Sequence, residues 1–289
     1  MSERQAAVPP VVAFLRMVKV EHSLFALPFA MVGMIYAADG FPGWRVFLLI
    51  LVAMVSARSA AMAFNRLVDH RLDALNPRTN KRELVTGGIS RHKAWLFFGV
   101  SVGLFLLAAA LLNPLSFALA PVALVVLLGY SYTKRFTSFC HLFVGLSLGI
   151  APVGAWVAVR GTLDIAPFWW LVAVTFWTAG FDILYALQDE EFDRSHGVHS
   201  LVVLLGRRWA IAVSRAFHAF AVVALAVAGR EVGAGIPYLL GVFFVLGLLI
   251  VEQSLVAPND LSRIDAAFFA VNGWVSVGFL VFALVDVAL

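Results

Sequence analysis

Asn65-Arg66-Leu67-Val68-Asp69-His70-Arg71-Leu72-Asp73 closes a long apolar run that begins near residue 46. Each helical residue turns by about 100° and rises about 1.5 Å, which puts Asn65, Asp69 and Asp73 within roughly an 80° arc of one helix face. A polar stripe of this kind at the end of an otherwise apolar helix has to face something other than lipid.

A second stripe, Asp182, Tyr185, Asp189 and Asp193, ends another apolar segment. On one continuous helix its three carboxylates would lie within roughly 40° of each other, with Tyr185 about 60° to the side. Carboxylates at four-residue spacing are hard oxygen ligands suited to Mg²⁺, which keeps several waters and shares positions with substrate phosphates. The Cys and His ligands of a zinc site are missing from both stripes. The ligand implied is a diphosphate. The competing reading is that these acids cap helices and stand in water at the membrane edge; two stripes, each beside basic loops, favour the metal.

Outward from these stripes the chain is apolar. Of its 289 residues 62% are hydrophobic and 13% charged, with a mean hydropathy of +0.93. Soluble domains carry about a quarter charged residues, so lipid is the main solvent here. Runs long enough to span a bilayer fall at about 23 to 38, 46 to 66, 94 to 112, 115 to 131, 140 to 158, 165 to 187, 209 to 228, 236 to 255 and 266 to 286. Backbone groups in lipid must be satisfied within their own segment, so an all-α polytopic protein with nine transmembrane helices is expected. Pro28 inside the first run predicts a kink, while His22 before it reads equally as an interfacial helix start or a substrate contact. The N-terminus, with Glu3 and Pro9-Pro10, does not read as a removable signal peptide.

Counted by alternate loops, Lys and Arg divide 17 to 3, with Arg58 left inside a span. The positive-inside rule then puts the N-terminus and both stripes in the cytoplasm and the C-terminus on the opposite side. The basic residues are spread over several loops, which argues against a nucleic-acid partner. Cys140 is the single cysteine and reads as structural. The stripes lie in spans two and six, a spacing compatible with an internal duplication that the segments are too dissimilar to establish.

The cations near the stripes suit an anionic ligand. The longest loop, Ala74 to His92, holds Arg78, Lys81 and Arg82 and then Gly87-Gly88; loops of this length often serve as lids, and their cations can neutralise phosphate oxygens. Tyr130, one turn before Lys134 and Arg135, pairs a phenol donor with a point charge, although interfacial anchoring accounts for the same residues. Arg58 lies seven residues before Asn65, about 20° around the helix and roughly 10 Å deeper. A substrate carboxylate is its favoured partner, with a structural ion pair as the alternative. His218, Glu252, Gln253 and Asn272 in the last spans are read as helix glue without chemistry of their own.

With these residues in hand, the chain resembles the UbiA superfamily of intramembrane aromatic prenyltransferases over nearly its full length. Asn65-Arg66-x-x-Asp69-x-x-x-Asp73 is similar to the family's first motif. Tyr185-Ala186-x-Gln188-Asp189-x-x-x-Asp193-x-x-x-Gly197-x-x-Ser200 is similar to its second. Arg78-Thr79, Gly88-Ile89-Ser90 and the Tyr130 to Lys134 spacing add to the likeness.

The resemblance implies one domain over residues 1–289, with nine helices around a central cavity and a cytoplasmic cap. It also implies Mg²⁺ held by Asn65, Asp69, Asp73, Asp189 and Asp193 together with a polyprenyl diphosphate. Asp69, Asp73, Asp189, Asp193 and Lys134 would be catalytic, and Arg58, Asn65, Arg66, Arg78, Tyr130, Arg135, Asp182 and Tyr185 would bind substrate. Within the family the likeness is to 4-hydroxybenzoate polyprenyltransferases of respiratory quinone synthesis, including a branch that uses 1,4-dihydroxy-6-naphthoate on a menaquinone route. The expected location is a bacterial inner membrane. A transporter using the acids as an ion pathway is the reading from another class; it requires polar residues to continue through spans seven to nine, which are mostly apolar. A CDP-alcohol phosphotransferase would need an Asp-Gly and Ala-Arg signature that is missing.

Overall fold

The structure, a computed structural model, describes residues 23–289 together with Phe14, Met17 and Val18. His22 and the N-terminal cations lie outside the described residues. From Ser23 onward the described residues form ten α-helices: α1 Ser23–Ala38, α2 Trp44–Leu75, α3 Arg91–Leu112, α4 Pro114–Thr133, α5 Cys140–Arg160, α6 Ala166–Ala186, α7 Glu190–Ser195, α8 Leu201–Glu231, α9 Ile236–Ser254 and α10 Asn272–Ala288. A 3₁₀ turn, Leu187–Asp189, joins α6 to α7, and a π-helical stretch, Ala266–Val271, leads into α10.

Nine of these elements coincide with the nine expected spans. Among the described residues eight apolar helical segments reach 18 residues, and the apolar part of α1 is shorter; α1 continues through Pro28. The protein is an integral membrane protein. Boundaries differ from the apolar runs where helix outlasts lipid: α2 carries its whole polar stripe on past residue 66, and α8 begins at Leu201 and bends at Gly206, whose positive φ of 75° interrupts it.

Turn chemistry sets several starts. Ser90, Asn113 and Ser200 each accept a hydrogen bond from the backbone N–H three residues on, capping α3, α4 and α8. Asn113 also donates to the carbonyls of Val157 and Ala158 at 2.8 and 3.1 Å, tying the α3–α4 turn to the end of α5.

The helix α6 is the centre of the bundle, packed between α5 and α8, while α1 lies against α5 and α10. Close packing of α5 on α6 depends on Gly145, where a Cβ would run into the Thr175 carbonyl. By contrast α3 and α4 turn large apolar side chains outward, such as Leu96, Leu107 and Val125, a pattern that suits lipid contact.

Polar contacts define two ends. At one, Tyr36 donates to Asp286, Asp286 accepts from the Gly235 N–H, Arg160 donates to the Ala37 carbonyl, and Arg45 to that of Leu111. These join the ends of spans that alternate in direction. The other end gathers the polar ends of α2, α4 and α6.

Between them lies a buried polar network. Trp177 donates to Asn272 Oδ1 at 2.7 Å, and Asn272 donates to Glu252 Oε1 at 2.7 Å. Gln253 Nε2 reaches Ser214 at 2.8 Å and His218 Nδ1 at 3.0 Å, and Ser214 returns a bond to the Gly180 carbonyl. Residues scattered over four elements in sequence thus join α6, α8, α9 and α10, the role of helix glue expected of them.

Candidate active site

Asn65, Asp69 and Asp73 project from the last turns of α2, and Asp182 and Asp189 from the end of α6 and the turn after it. Their helices place Asn65, Asp73, Asp182, Asp189 and Asp193 on the wall of one cleft of about 210 Å³. Tyr130 and Lys134 from the end of α4, and Arg78 and Arg82 from the loop after α2, complete that wall.

The first stripe has the geometry expected of one helix. Asn65 donates to Asp69 Oδ2 at 3.0 Å, one turn on. The second requires a correction: the Leu187–Asp189 turn breaks the helix, so Asp193 sits on separate α7 and the single-face arithmetic covers only Asp182 and Tyr185. A 3₁₀ turn advances each residue by about 120° and not 100°. Asp189 and Asp193 still reach the same cleft as Asp182.

Every motif carboxylate but Asp193 has a cation or a histidine against it. Asp69, only 2% exposed, takes Lys134 Nζ at 2.6 Å and Arg135 Nη2 at 3.0 Å. Arg82 holds Asp73 at 2.6 Å. Arg78 grips Asp189 through Nε at 2.9 Å and through Nη2, and its Nη1 donates to the Tyr185 hydroxyl at 3.2 Å. Burial works against the Arg78 charge, yet the hydrogen bond and charge of Asp189 outweigh it and hold the guanidinium above its ordinary pKa. Buried acids are tolerable because each is compensated in this way.

Several expected residues stand back from the cleft wall. Arg66 is 4% exposed within α2, and Arg135 lines an adjoining hollow with Arg71 and His196. Asp69 meets the cleft through Asn65 and Lys134. Arg58 lies deeper on α2, within electrostatic reach of Tyr130.

Two cleft residues had not been singled out. Asn76 donates to Asp189 Oδ1 at 3.1 Å and accepts from the Arg78 N–H at 2.9 Å, so one loop residue positions both members of that pair. His141, at the start of α5 and 2% exposed, lies with Nδ1 at 2.7 Å from Asp182 Oδ2. No local spacing signals either contact, since the partners are distant in sequence.

Residues 26–275 match the UbiA prenyltransferase family. The chain belongs to that family. It is 32% identical over 240 residues to the 4-hydroxybenzoate octaprenyltransferase of Shewanella halifaxensis, covering 83% of each chain. Its fold superposes on a UbiA homologue from Aeropyrum pernix K1 with a TM-score of 0.84 at 34% identity, over 92% of this chain and 98% of that one. A UbiA homologue from Archaeoglobus fulgidus, solved with GPP and Mg²⁺, shares the fold with a TM-score of 0.74 at 22% identity, over 96% of this chain and 100% of the other. The protein is a membrane-embedded prenyltransferase of the UbiA family.

The donor set fits Mg²⁺. All five candidate ligands offer hard oxygens, and among the described residues no three or more His, Cys, Asp or Glu side chains converge into a metal cage of their own. A Mg²⁺ ion that keeps waters and completes its shell with phosphate oxygens needs only one or two carboxylates from each stripe.

Proposed function

We propose that this UbiA-family chain transfers a polyprenyl group from a prenyl diphosphate to the ring of an aromatic acid, with Mg²⁺, in respiratory quinone synthesis. The observation that carries this reading is the convergence of both acidic stripes on one cleft, with Arg78, Arg82 and Lys134 already held against their carboxylates. The Shewanella relative, by its name, supports 4-hydroxybenzoate as the acceptor; 1,4-dihydroxy-6-naphthoate is the second candidate.

In this reading Asn65, Asp69 and Asp73 from the first stripe and Asp189 and Asp193 from the second would hold Mg²⁺ together with the diphosphate. The metal, when bound, supplies positive charge against the departing diphosphate. Lys134, Arg78 and Arg82 exchange carboxylate oxygens for phosphate oxygens, and Arg66 and Arg135 keep the electrostatic potential of the cleft positive. Tyr130 donates to a phosphate oxygen. Ionisation of the allylic C–O bond is favoured because these fixed charges meet negative charge as it develops. Apolar walls then keep water from the allylic carbon until the acceptor ring attacks it.

Arg58, deeper along α2, binds the acceptor carboxylate, while Asp182 and Tyr185 face its ring. The 17 to 3 division of cations supports a cleft that opens to the cytoplasm with the C-terminus on the other side, and the bacterial relative supports an inner-membrane location.

Membranes containing the protein test this directly. They are supplied with Mg²⁺, a prenyl diphosphate and either acceptor, and prenylated product is read by mass spectrometry. Product from 4-hydroxybenzoate supports the favoured reading, product from the naphthoate alone moves the enzyme to the second acceptor, and product from neither, beside an active control enzyme, overturns the acceptor class.

A further inference from the structure

The pair formed by His141 and Asp182 differs in kind from the other pairs in the cleft. His141 Nδ1 lies 2.7 Å from Asp182 Oδ2, to which it donates, and Nε2 lies 3.4 Å from the backbone nitrogen of Leu201. The imidazole is held at both nitrogens and is 2% exposed. Asp182 Oδ2 is thus oriented by one buried imidazole and not by a flexible arginine or lysine.

Asp73 and Asp189 on the same wall are each matched by an arginine. Asp193 lies beyond the helix break, on α7. Asp182 comes seven residues before Asp189, roughly 10 Å deeper by helical rise. Its side chain is 29% exposed on the cleft wall, and among the described residues the hydrogen bond to His141 is on Oδ2, leaving Oδ1 without a donor. A carboxylate oxygen without a donor on the cleft wall, deeper than the carboxylates that arginines hold, suits a hydroxyl donor.

Resting on the proposed aromatic acceptor, we propose that Asp182 takes the proton of the acceptor's ring hydroxyl and that His141 is the positioning residue that keeps its carboxylate charged and aimed. As the O–H bond breaks, its proton passes to Asp182 Oδ1 and its electron pair forms the C=O of a dienone. A ring π pair forms the new C–C bond to the allylic carbon, and the allylic C–O pair leaves on the diphosphate. The hydrogen on the substituted ring carbon is then lost to water, its C–H pair restores the aromatic ring, and the carbonyl oxygen recovers the proton from Asp182.

The test compares wild type, Asp182→Asn, His141→Leu and His141→Asn in membranes, with a series of ring-fluorinated acceptors of increasing hydroxyl acidity. General-base removal predicts a fall in kcat of about 10²-fold for Asp182→Asn, with the KM for prenyl diphosphate unchanged. More acidic acceptors, already ionised, should recover that loss relative to wild type. His141→Leu should show the same acidity dependence in weaker form, and His141→Asn, which returns an N–H donor to Asp182, should restore most of the rate. A uniform loss across all acceptors, or unchanged rates in Asp182→Asn, overturns the proton transfer while wild-type product keeps the parent reading. Absence of product from wild type overturns both. Detergent gel filtration of each variant separates misfolding from chemistry, and Asp182→Asn, which preserves volume and one acceptor oxygen, carries the decision if His141→Leu fails to fold.

Discussion

Arg78 closes on Asp189 across 111 residues of sequence, with Nε at 2.9 Å from one carboxylate oxygen and Nη2 on the other. Its guanidinium also lies 5.0 Å from the centre of the Tyr185 ring. One loop side chain thus ties the segment after the first acidic stripe to the heart of the second, which makes the loop part of the site and not merely a connection between helices.

Arg78→Lys should therefore behave as a damaging substitution. Lysine keeps the charge but gives up the two-point fork and the planar contact with Tyr185. Losing one charge-assisted hydrogen bond costs about 1.5 to 3 kcal/mol, and because the side chain is 32% exposed the lower end applies. We expect kcat/KM for the prenyl diphosphate to drop about tenfold, and further in Arg78→Ala. Steady-state kinetics with the acceptor saturating will show it; equal rates for Lys and Arg would reduce Arg78 to a loop anchor.

Asp69→Asn and Asp189→Asn should each abolish turnover while the helices remain folded. Asn65, Lys134 and Arg135 all converge on Asp69, so the amide keeps the shape of the contact but loses half of a carboxylate's acceptor capacity and all of its charge. Activity measured against Mg²⁺ concentration separates ligand loss from misfolding, with detergent gel filtration as the fold control. Normal activity in both variants would remove the metal assignment.

Much of the site is legible in the sequence, for a physical reason. Asn65, Asp69 and Asp73 share a continuous helix, so sequence spacing converts directly into direction. That conversion fails at Leu187–Asp189, where the helix tightens and Asp193 starts a new axis. His141 was invisible because its meaning comes from Asp182, on another helix and 41 residues away. The same holds for Asn76, an ordinary helix-ending residue until its amide is seen against Asp189. Spans were legible throughout because lipid imposes length and apolarity, whereas the extension of α2 and α8 beyond the apolar runs depends on partners that local sequence does not encode.

Arg58→Ala should separate the two substrates. The residue lies deeper on α2 than the acids of the stripe, within electrostatic reach of Tyr130. If it binds the acceptor carboxylate, the loss of a charged hydrogen bond of about 1.5 to 3 kcal/mol raises the acceptor KM about tenfold or more and leaves that of the prenyl diphosphate near its starting value. An acceptor analogue without the carboxylate should be used equally by both proteins. Parallel losses for both substrates would mark Arg58 as structural.

Asn272→Leu tests whether the buried network supports the site from below. Asn272 accepts from Trp177 at 2.7 Å and donates to Glu252 at 2.7 Å, so leucine leaves a buried indole N–H and a buried carboxyl oxygen without their partner. Each orphaned group costs about 1 to 3 kcal/mol, and the variant should melt at a lower temperature in detergent than wild type. Trp177 precedes Asp182 by five residues on the same helix, and Ser214 holds the Gly180 carbonyl between them. Loosening the network therefore lets the end of α6 shift, and kcat should fall with stability even though Asn272 is remote from the cleft. Asn272→Asp keeps an acceptor for Trp177 but gives up the N–H donated to Glu252 and to the Ala267 and Phe268 carbonyls, and should also melt below wild type. A melting temperature equal to wild type in both variants would show that α6 is held by apolar packing alone.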